Sequence, residues 1–259
     1  MTGRPAGVGQ LLEVTDLRVT YGGVVAVDDV SLHVAEGEVV GLIGPNGAGK
    51  SSFIDGLTGY LPRRGGHVEF EGRSLDGLAT YAVARRGLVR TFQSVELFDD
   101  LTVEENLLVA AERPRLVTML RDLVLPSRPE GVDDVAWARM LCELDDVAHR
   151  YPQELSHGQR KLVGVARALA QRPRLVLMDE PAAGLDTEES LAFGRRLRSL
   201  PGHGVSVLLV DHDMGLVLSV CDRIVVIDFG KVIASGTPEE IRADEAVIAA
   251  YLGGVDARH

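Results

Sequence analysis

The stretch GPNGAGKS, Gly44 to Ser51, constrains this chain more than any other. It follows an apolar run, EVVGLI, that predicts a strand, and it precedes SSFIDGLTG, which predicts a helix. A glycine-rich turn between strand and helix, closed by Lys and Ser, satisfies the phosphate-loop pattern G-x-x-x-x-G-K-[ST] in full. Glycines let the backbone curl so that several N–H groups face one anion. The helix that follows adds roughly half a positive charge at its N-terminus. In such a loop Lys50 reaches the β- and γ-phosphates of a nucleotide and the Ser51 hydroxyl ligates Mg²⁺. The plain alternative is a strand–helix turn that binds nothing, but the context on both sides favours ATP or GTP. Gly44, Pro45, Asn46, Gly47, Ala48, Gly49, Lys50, Ser51 and Ser52 are therefore the candidate nucleotide contacts.

A second apolar run, LVLMDE from Leu175 to Glu180, ends in two carboxylates. Carboxylates at strand ends of an open α/β sheet face the ligand crevice. With a phosphate loop in the same chain, Asp179 is expected in the Mg²⁺ shell and Glu180 beside the attacking water. Without that loop, an Asp-Glu pair would be an ordinary acidic cap. In ELSHGQRK, Ser156 and Gln159 fit a capping box that starts a helix. Ser156 and His157 are neighbours whose side chains diverge, so they are no nucleophile–base pair. A capped helix start is also an anion site, because its free N–H groups point outward.

The rest of the chain frames these motifs. At 259 residues and 46% apolar, it has length for one large α/β domain and ample material for a core. A formal charge of -11 argues against a nucleic-acid face, so no nucleic-acid partner is expected. Only Lys50, Lys161 and Lys231 are lysines, the other basic residues being arginines. Cys142 and Cys221 lie far apart, which reads as two buried reduced thiols rather than a disulfide or zinc site. No apolar run approaches a membrane span, and Met1 to Gln10 has no apolar signal core. The expectation is a cytoplasmic protein that meets a membrane only through a partner.

LLEVTDLRVTY and VDDVSLHVAEGEVVGLIG alternate as half-buried strands do, and HVEFEGRSL extends this β-rich start, with turns at Glu36-Gly37 and Glu71-Gly72. From Thr102 to about Arg150 the pattern becomes helical, best in VEENLLVAAE and DDVAWARMLCEL. The proline-interrupted stretch from Arg113 to Glu130 gives no assignment. RLVLMDE and GVSVLLVD are short continuous apolar runs of the kind found in covered parallel strands. RIVVIDFGKVIASG reads as a hairpin turning at Asp228 to Lys231, and Thr237, Pro238 and Glu240 as a capped helix start. One α/β core carrying a helical insertion accounts for all of this.

Six motifs, GPNGAGKS, TFQ, LSHGQ, LVLMDEP, GLD and VDHD, in this order and spacing resemble those of the ATPase subunit of ABC transporters. The resemblance covers nearly the whole chain. It implies a P-loop ATPase core with a mostly parallel sheet, an N-terminal antiparallel β subdomain and an inserted helical subdomain at about 94–165. Residues 11–252 would form one ABC ATPase domain, between a flexible 1–10 and a tail at 253–259. In that family two ATPase domains pack head to tail, and each signature helix closes over the γ-phosphate held by the other. Ser156, Gly158 and Gln159 would thus contact nucleotide in trans. By the same resemblance Tyr21 stacks on adenine, Gln93 contacts Mg²⁺ and water, His212 contacts the γ-phosphate, and Asp186 links the two sites. Catalysis would then rest on Glu180, His212, Gln93 and Lys50, with Ser51, Gln93 and Asp179 around Mg²⁺.

His157 stands where the general signature has glycine, and in carrying a bulky residue there the chain resembles the branched-chain amino-acid importer branch. RTFQSVELFDDLTVEENLLVA, DEPAAGL and CDRIVVIDFGKVIASGTPEEI resemble that same branch. The resemblance implies a homodimer, or a heterodimer with a paralogue, on the cytoplasmic face of integral-membrane permease subunits that dock on about 93–150. Alternatives are urea or amide uptake, lipid export, or a DNA-maintenance ATPase head. The last needs long heptad arms between phosphate loop and signature, and the roughly hundred residues there hold none.

Overall fold

The computed structural model describes residues 9–91, 96–112 and 131–253. The chain divides into two compact units, one of residues 1–93 with 174–259 and one of residues 94–173.

In the first unit, strands β1 (Gln10–Tyr21), β2 (Val24–Ala35), β4 (Arg63–Phe70) and β5 (Arg73–Ser74) form an antiparallel sheet ordered β2-β1-β4-β5. Their alternation buries one face, with Leu12, Val14, Leu17 and Val19 of β1 inward. A second sheet is ordered β10-β9-β3-β8-β7-β6, with β3 at Val39–Ile43, β6 at Leu88–Arg90, β7 at Leu175–Asp179, β8 at Ser206–Val210, β9 at Arg223–Asp228 and β10 at Lys231–Gly236. All its pairings are parallel except β9–β10. That hairpin turns where the sequence places it, with Asp228 opposite Lys231 and positive φ at Phe229 and Gly230.

One expectation changes. VDDVSLHVAEGEVVGLIG as a whole reads as half-buried strand, yet all five residues of β3 are buried. The reason is that both faces of the parallel sheet are covered there: Leu42 joins the cluster of Phe53 and Ile54, and Gly41 lies against Val217 and Cys221. The helix Lys50–Thr58 completes the layering. Its Phe53, Ile54 and Leu57 share one buried cluster with Leu12, Leu17 and Phe70 of the first sheet and Leu42, Leu208 and Ile227 of the second. Each such side chain contributes about 1.5–3 kcal/mol by leaving water. The phosphate-loop helix is therefore fixed by both sheets at once.

In the second unit, helices Val103–Ala111, Val132–Leu141 and His157–Leu169 pack on one another. Thr102 and Glu105 close a capping box at the first of these. The buried Asn106 anchors the preceding loop, its amide donating to the carbonyls of Phe98, Leu101 and Thr102 while its oxygen accepts from the Phe98 N–H. Ser156 caps the third helix with Gln159 as the sequence predicts. Thr237 and Glu240 do the same in the first unit, with Pro238 in the first helical turn. The stretch 113–130 lies outside the described residues.

Candidate functional site

Strand register assembles the site. In the parallel sheet Leu42 lies opposite Val210, and Val210 opposite Asp179. The C-terminal ends of β3, β8 and β7 are therefore level. What leaves them at one edge is the Gly44 loop, the pair Asp211-His212 and the pair Asp179-Glu180. Beside β7, Arg90 of β6 lies opposite Leu177. Residues more than a hundred apart in sequence thus converge at the carboxyl edge, where open α/β sheets bind ligands.

The loop itself is shaped by glycine. Gly49 has φ +103, and a Cβ there would stand 2.1 Å from the Ala26 carbonyl oxygen. No side chain fits that space. Gly47, with φ +84, faces open space, so its backbone is free to approach a ligand. The loop is tied down by Ala48 N–H to Pro45 O at 3.1 Å and by Gly230 N–H to Ala48 O at 2.9 Å. The Lys50 ammonium donates to the carbonyls of Gly44 at 2.7 Å and Pro45 at 3.0 Å. Burial pulls it below its ordinary 10.5, and the carboxylates of Glu180, Asp179 and Asp211 oppose that shift. A cation so surrounded can exchange two carbonyl partners for phosphate oxygens.

The Asp179 carboxyl is pushed above its ordinary 3.8 by burial, against the pull of the Arg90 guanidinium and the Ser51 hydroxyl hydrogen-bonded to it, with Glu180 adding to the rise. Ser51 and Asp179 are hard oxygen donors already in contact, and the pair fits a small divalent cation that also holds phosphate and water. Glu180 follows in the left-handed region at φ +48, its N–H donating to Val210 O at 2.7 Å. This kink turns the chain at the strand end. His212 Nδ1 lies 3.6 Å from Glu180 Oε1 and 3.7 Å from Asp211 Oδ1, within ion-pair reach of both.

Two site residues escaped the sequence reading. Asp211, wholly buried, accepts from the N–H of His212 at 2.8 Å and of Asp213 at 3.0 Å through one oxygen, and from the Ala182 N–H at 3.4 Å through the other. It pins the His212 turn to the turn after Glu180. Its signal was present, since it too is a carboxylate at a strand end. Arg90 heads the stretch RTFQ, but nothing in the sequence shows its role, because its partners Asp55 and Asp179 are remote in sequence.

The remaining candidates fall as follows. Tyr21 ends β1 exposed, opposite Val24 of β2. Asp186 caps the helix Thr187–Ser199, accepting from Glu189 N–H at 2.8 Å. Ser190 of that helix donates to Asp213 Oδ2 at 3.2 Å, tying it to the His212 turn. Ser156, Gly158 and Gln159 belong to the other unit. Gln93 lies outside the described residues.

The family model for the ABC transporter matches residues 27–183, more than half of the chain. This chain belongs to the ATP-binding cassettes of ABC transporters, ATPases coupled to transport. A second model, the branched-chain amino acid ATP-binding cassette transporter, matches residues 231–257. The chain is 43% identical over 251 residues to the high-affinity branched-chain amino acid transport ATP-binding protein BraF of Pseudomonas aeruginosa, spanning 94% of this chain and 98% of that one. LivG of Escherichia coli, named for the same transport, is 39% identical over 250 residues, with 94% and 98% covered. The lipopolysaccharide export ATP-binding protein LptB of Haemophilus influenzae is 35% identical over 243 residues, with 94% and 97% covered. Among solved structures, a nucleotide-free cassette of an ABC transporter superposes with TM-score 0.82 at 31% identity, covering 94% of this chain and 99% of that chain. A dimeric cassette bound to ADP and phosphate superposes with TM-score 0.72 at 25% identity, covering 88% and 98%.

Proposed function

We propose that this chain hydrolyses ATP at a site shared between two ATPase subunits, and that the cycle drives import of branched-chain amino acids through separate membrane subunits. The observation that carries the reading is the single sheet edge at which the phosphate loop, Asp179-Glu180 and His212 converge. In this reading Tyr21 stacks on the base, the loop amides from Gly44 to Ser52 and Lys50 hold the phosphates, and Ser51 and Asp179, with Gln93, hold the cation. Mg²⁺, when bound, would supply stabilisation of the negative charge on the nucleotide phosphates. Glu180 orients the attacking water and accepts its proton, and His212 faces the γ-phosphate. Ser156, Gly158 and Gln159 of a second subunit, a copy or a paralogue, close over that phosphate. Asp186 links the two sites.

Among the described residues no helix is long and apolar enough to cross a membrane. The chain in this reading sits on the cytoplasmic face of its permease, docked through about 93–150. The solute rests on the match at 231–257 and on higher identity to BraF and LivG than to LptB. The test is uptake in the source organism. Replacing the gene by its Glu180→Gln form should abolish uptake of leucine, isoleucine and valine from micromolar solution. Normal leucine uptake with loss of urea or amide uptake would move the protein to the alternative transporter.

A further inference from the structure

Arg90 ends β6 at the carboxyl edge of the sheet, and its side chain is largely buried. One arm of the guanidinium, Nη1, donates to Asp55 Oδ1, and the other, Nη2, donates to Asp179 Oδ2 at 3.2 Å. Side-chain exposures of 15% for Arg90, 20% for Asp55 and 4% for Asp179 place the trio out of bulk water. A buried ion pair holds only when its geometry and remaining hydrogen bonds are good, so each member restricts the others. The planar fork of arginine spans two carboxylates at once, which a lysine ammonium on its flexible stem does not reproduce.

The three residues form part of a closed ring. Asp55 lies on the helix Lys50–Thr58, four residues after Ser51, and positions i and i+4 share a helix face. Ser51 hydrogen-bonds Asp179, Asp179 pairs with Arg90, Arg90 pairs with Asp55, and Asp55 returns to the helix that carries Ser51. The helix and the ends of β6 and β7 are thereby locked around the two oxygen donors of the cation site.

We propose that Arg90, held by Asp55, is a positioning residue for that site: it fixes the Asp179 carboxylate against the Ser51 hydroxyl before metal and nucleotide arrive. The inference rests on the reading of Asp179 as a Mg²⁺ ligand. It gives Arg90 no contact with nucleotide, so its effect must show in the metal requirement and spare the metal-free affinity.

The experiment measures binding of fluorescent mant-ATP to the full chain, first in EDTA and then across a Mg²⁺ titration. Bound Mn²⁺, read by its paramagnetic resonance signal, provides a second measure that does not depend on turnover. Arg90→Met should raise the Mg²⁺ concentration at half-saturation about 10–100-fold, the scale of losing a partner that orients a metal ligand, and leave affinity in EDTA within about two-fold. Arg90→Lys should fall between wild type and Arg90→Met, and Asp55→Asn should shift the same way by less. An unchanged Mg²⁺ requirement in folded Arg90→Met would overturn the proposal. So would an equal loss of affinity in EDTA, which would make Arg90 a plain structural tie. If Arg90→Met fails to fold, Arg90→Lys and Asp55→Asn decide by the same two criteria. Asp179→Asn separates the two levels: a wild-type Mg²⁺ requirement there would overturn the metal-site reading itself. A raised requirement in Asp179→Asn with none in the Arg90 variants would overturn only the role of Arg90.

Discussion

Asp211→Ala probes the account at a wholly buried residue that holds the His212 turn. Its carboxylate accepts from three backbone N–H groups, two at 2.8 and 3.0 Å and one at 3.4 Å. Truncation leaves the two short donors without a partner, at about 1–3 kcal/mol each, and the long one counts for little. Some of this is returned, because burial holds the Asp211 carboxyl above its ordinary 3.8 and its ionised form is costly in the fold. A net loss of about 2–4 kcal/mol follows, and for a chain of this size that lowers Tm by about 5–15 °C. Asp211→Asn keeps one acceptor and removes the charge, so it should cost less than about 1 kcal/mol. The sign of the pH effect separates them further. A carboxyl with a raised folded pKa binds its proton more tightly folded than unfolded. Its contribution to stability therefore falls as pH rises from 3.8 through the folded value, and both variants should flatten that slope. Thermal unfolding followed by circular dichroism, in nucleotide-free buffer across pH, measures both effects. Turnover should fall about 10–100-fold in Asp211→Ala, since the His212 turn loses its anchor. A Tm within 2 °C of wild type for Asp211→Ala would refute the reasoning, as would a larger loss for Asn than for Ala.

Gly49→Ala forces a side chain into a left-handed position and against the Ala26 carbonyl, so mant-ATP binding should drop below detection and Tm should fall. Wild-type nucleotide affinity in that variant would show that the loop does not need its observed shape. Cys221 is buried and its thiol is pushed up to about 12 by burial, and Cys142 is buried as well. Neither should react with a thiol reagent at pH 8 until the protein is unfolded, and rapid labelling of native protein would contradict the packing.

What the sequence made legible is local. The phosphate loop, the Asp228–Lys231 turn and the caps at Ser156 and Thr237 are specified by residues within a few positions of one another, where turn and cap chemistry acts. What covers the two faces of β3 was not legible, because Phe53 on the one hand and Val217 and Cys221 on the other reach it only through the fold. The role of Arg90 was illegible too: its partners are 35 and 89 residues away and meet it only through the fold. Asp211 is intermediate. Its type and strand-end position are written in VDHD, but its hold on the Ala182 N–H depends on β7 and β8 being neighbours.

The central claim, a nucleotide site completed by the signature helix of a second subunit, is tested most directly by cross-linking. Two forms of the chain are prepared with Cys142→Ala, Cys221→Ala and Glu180→Gln, one adding Ser156→Cys and the other Asn46→Cys. Mixed with ATP and Mg²⁺ and exposed to mild oxidant, they should join as a covalent dimer, and omitting either nucleotide or metal should abolish the product. If the working pair requires a paralogue, the same dependence should appear with the complete transporter carrying one cysteine in each ATPase subunit. Cross-linking that proceeds equally well without nucleotide, or none in the complete transporter under ATP and Mg²⁺, would contradict the account.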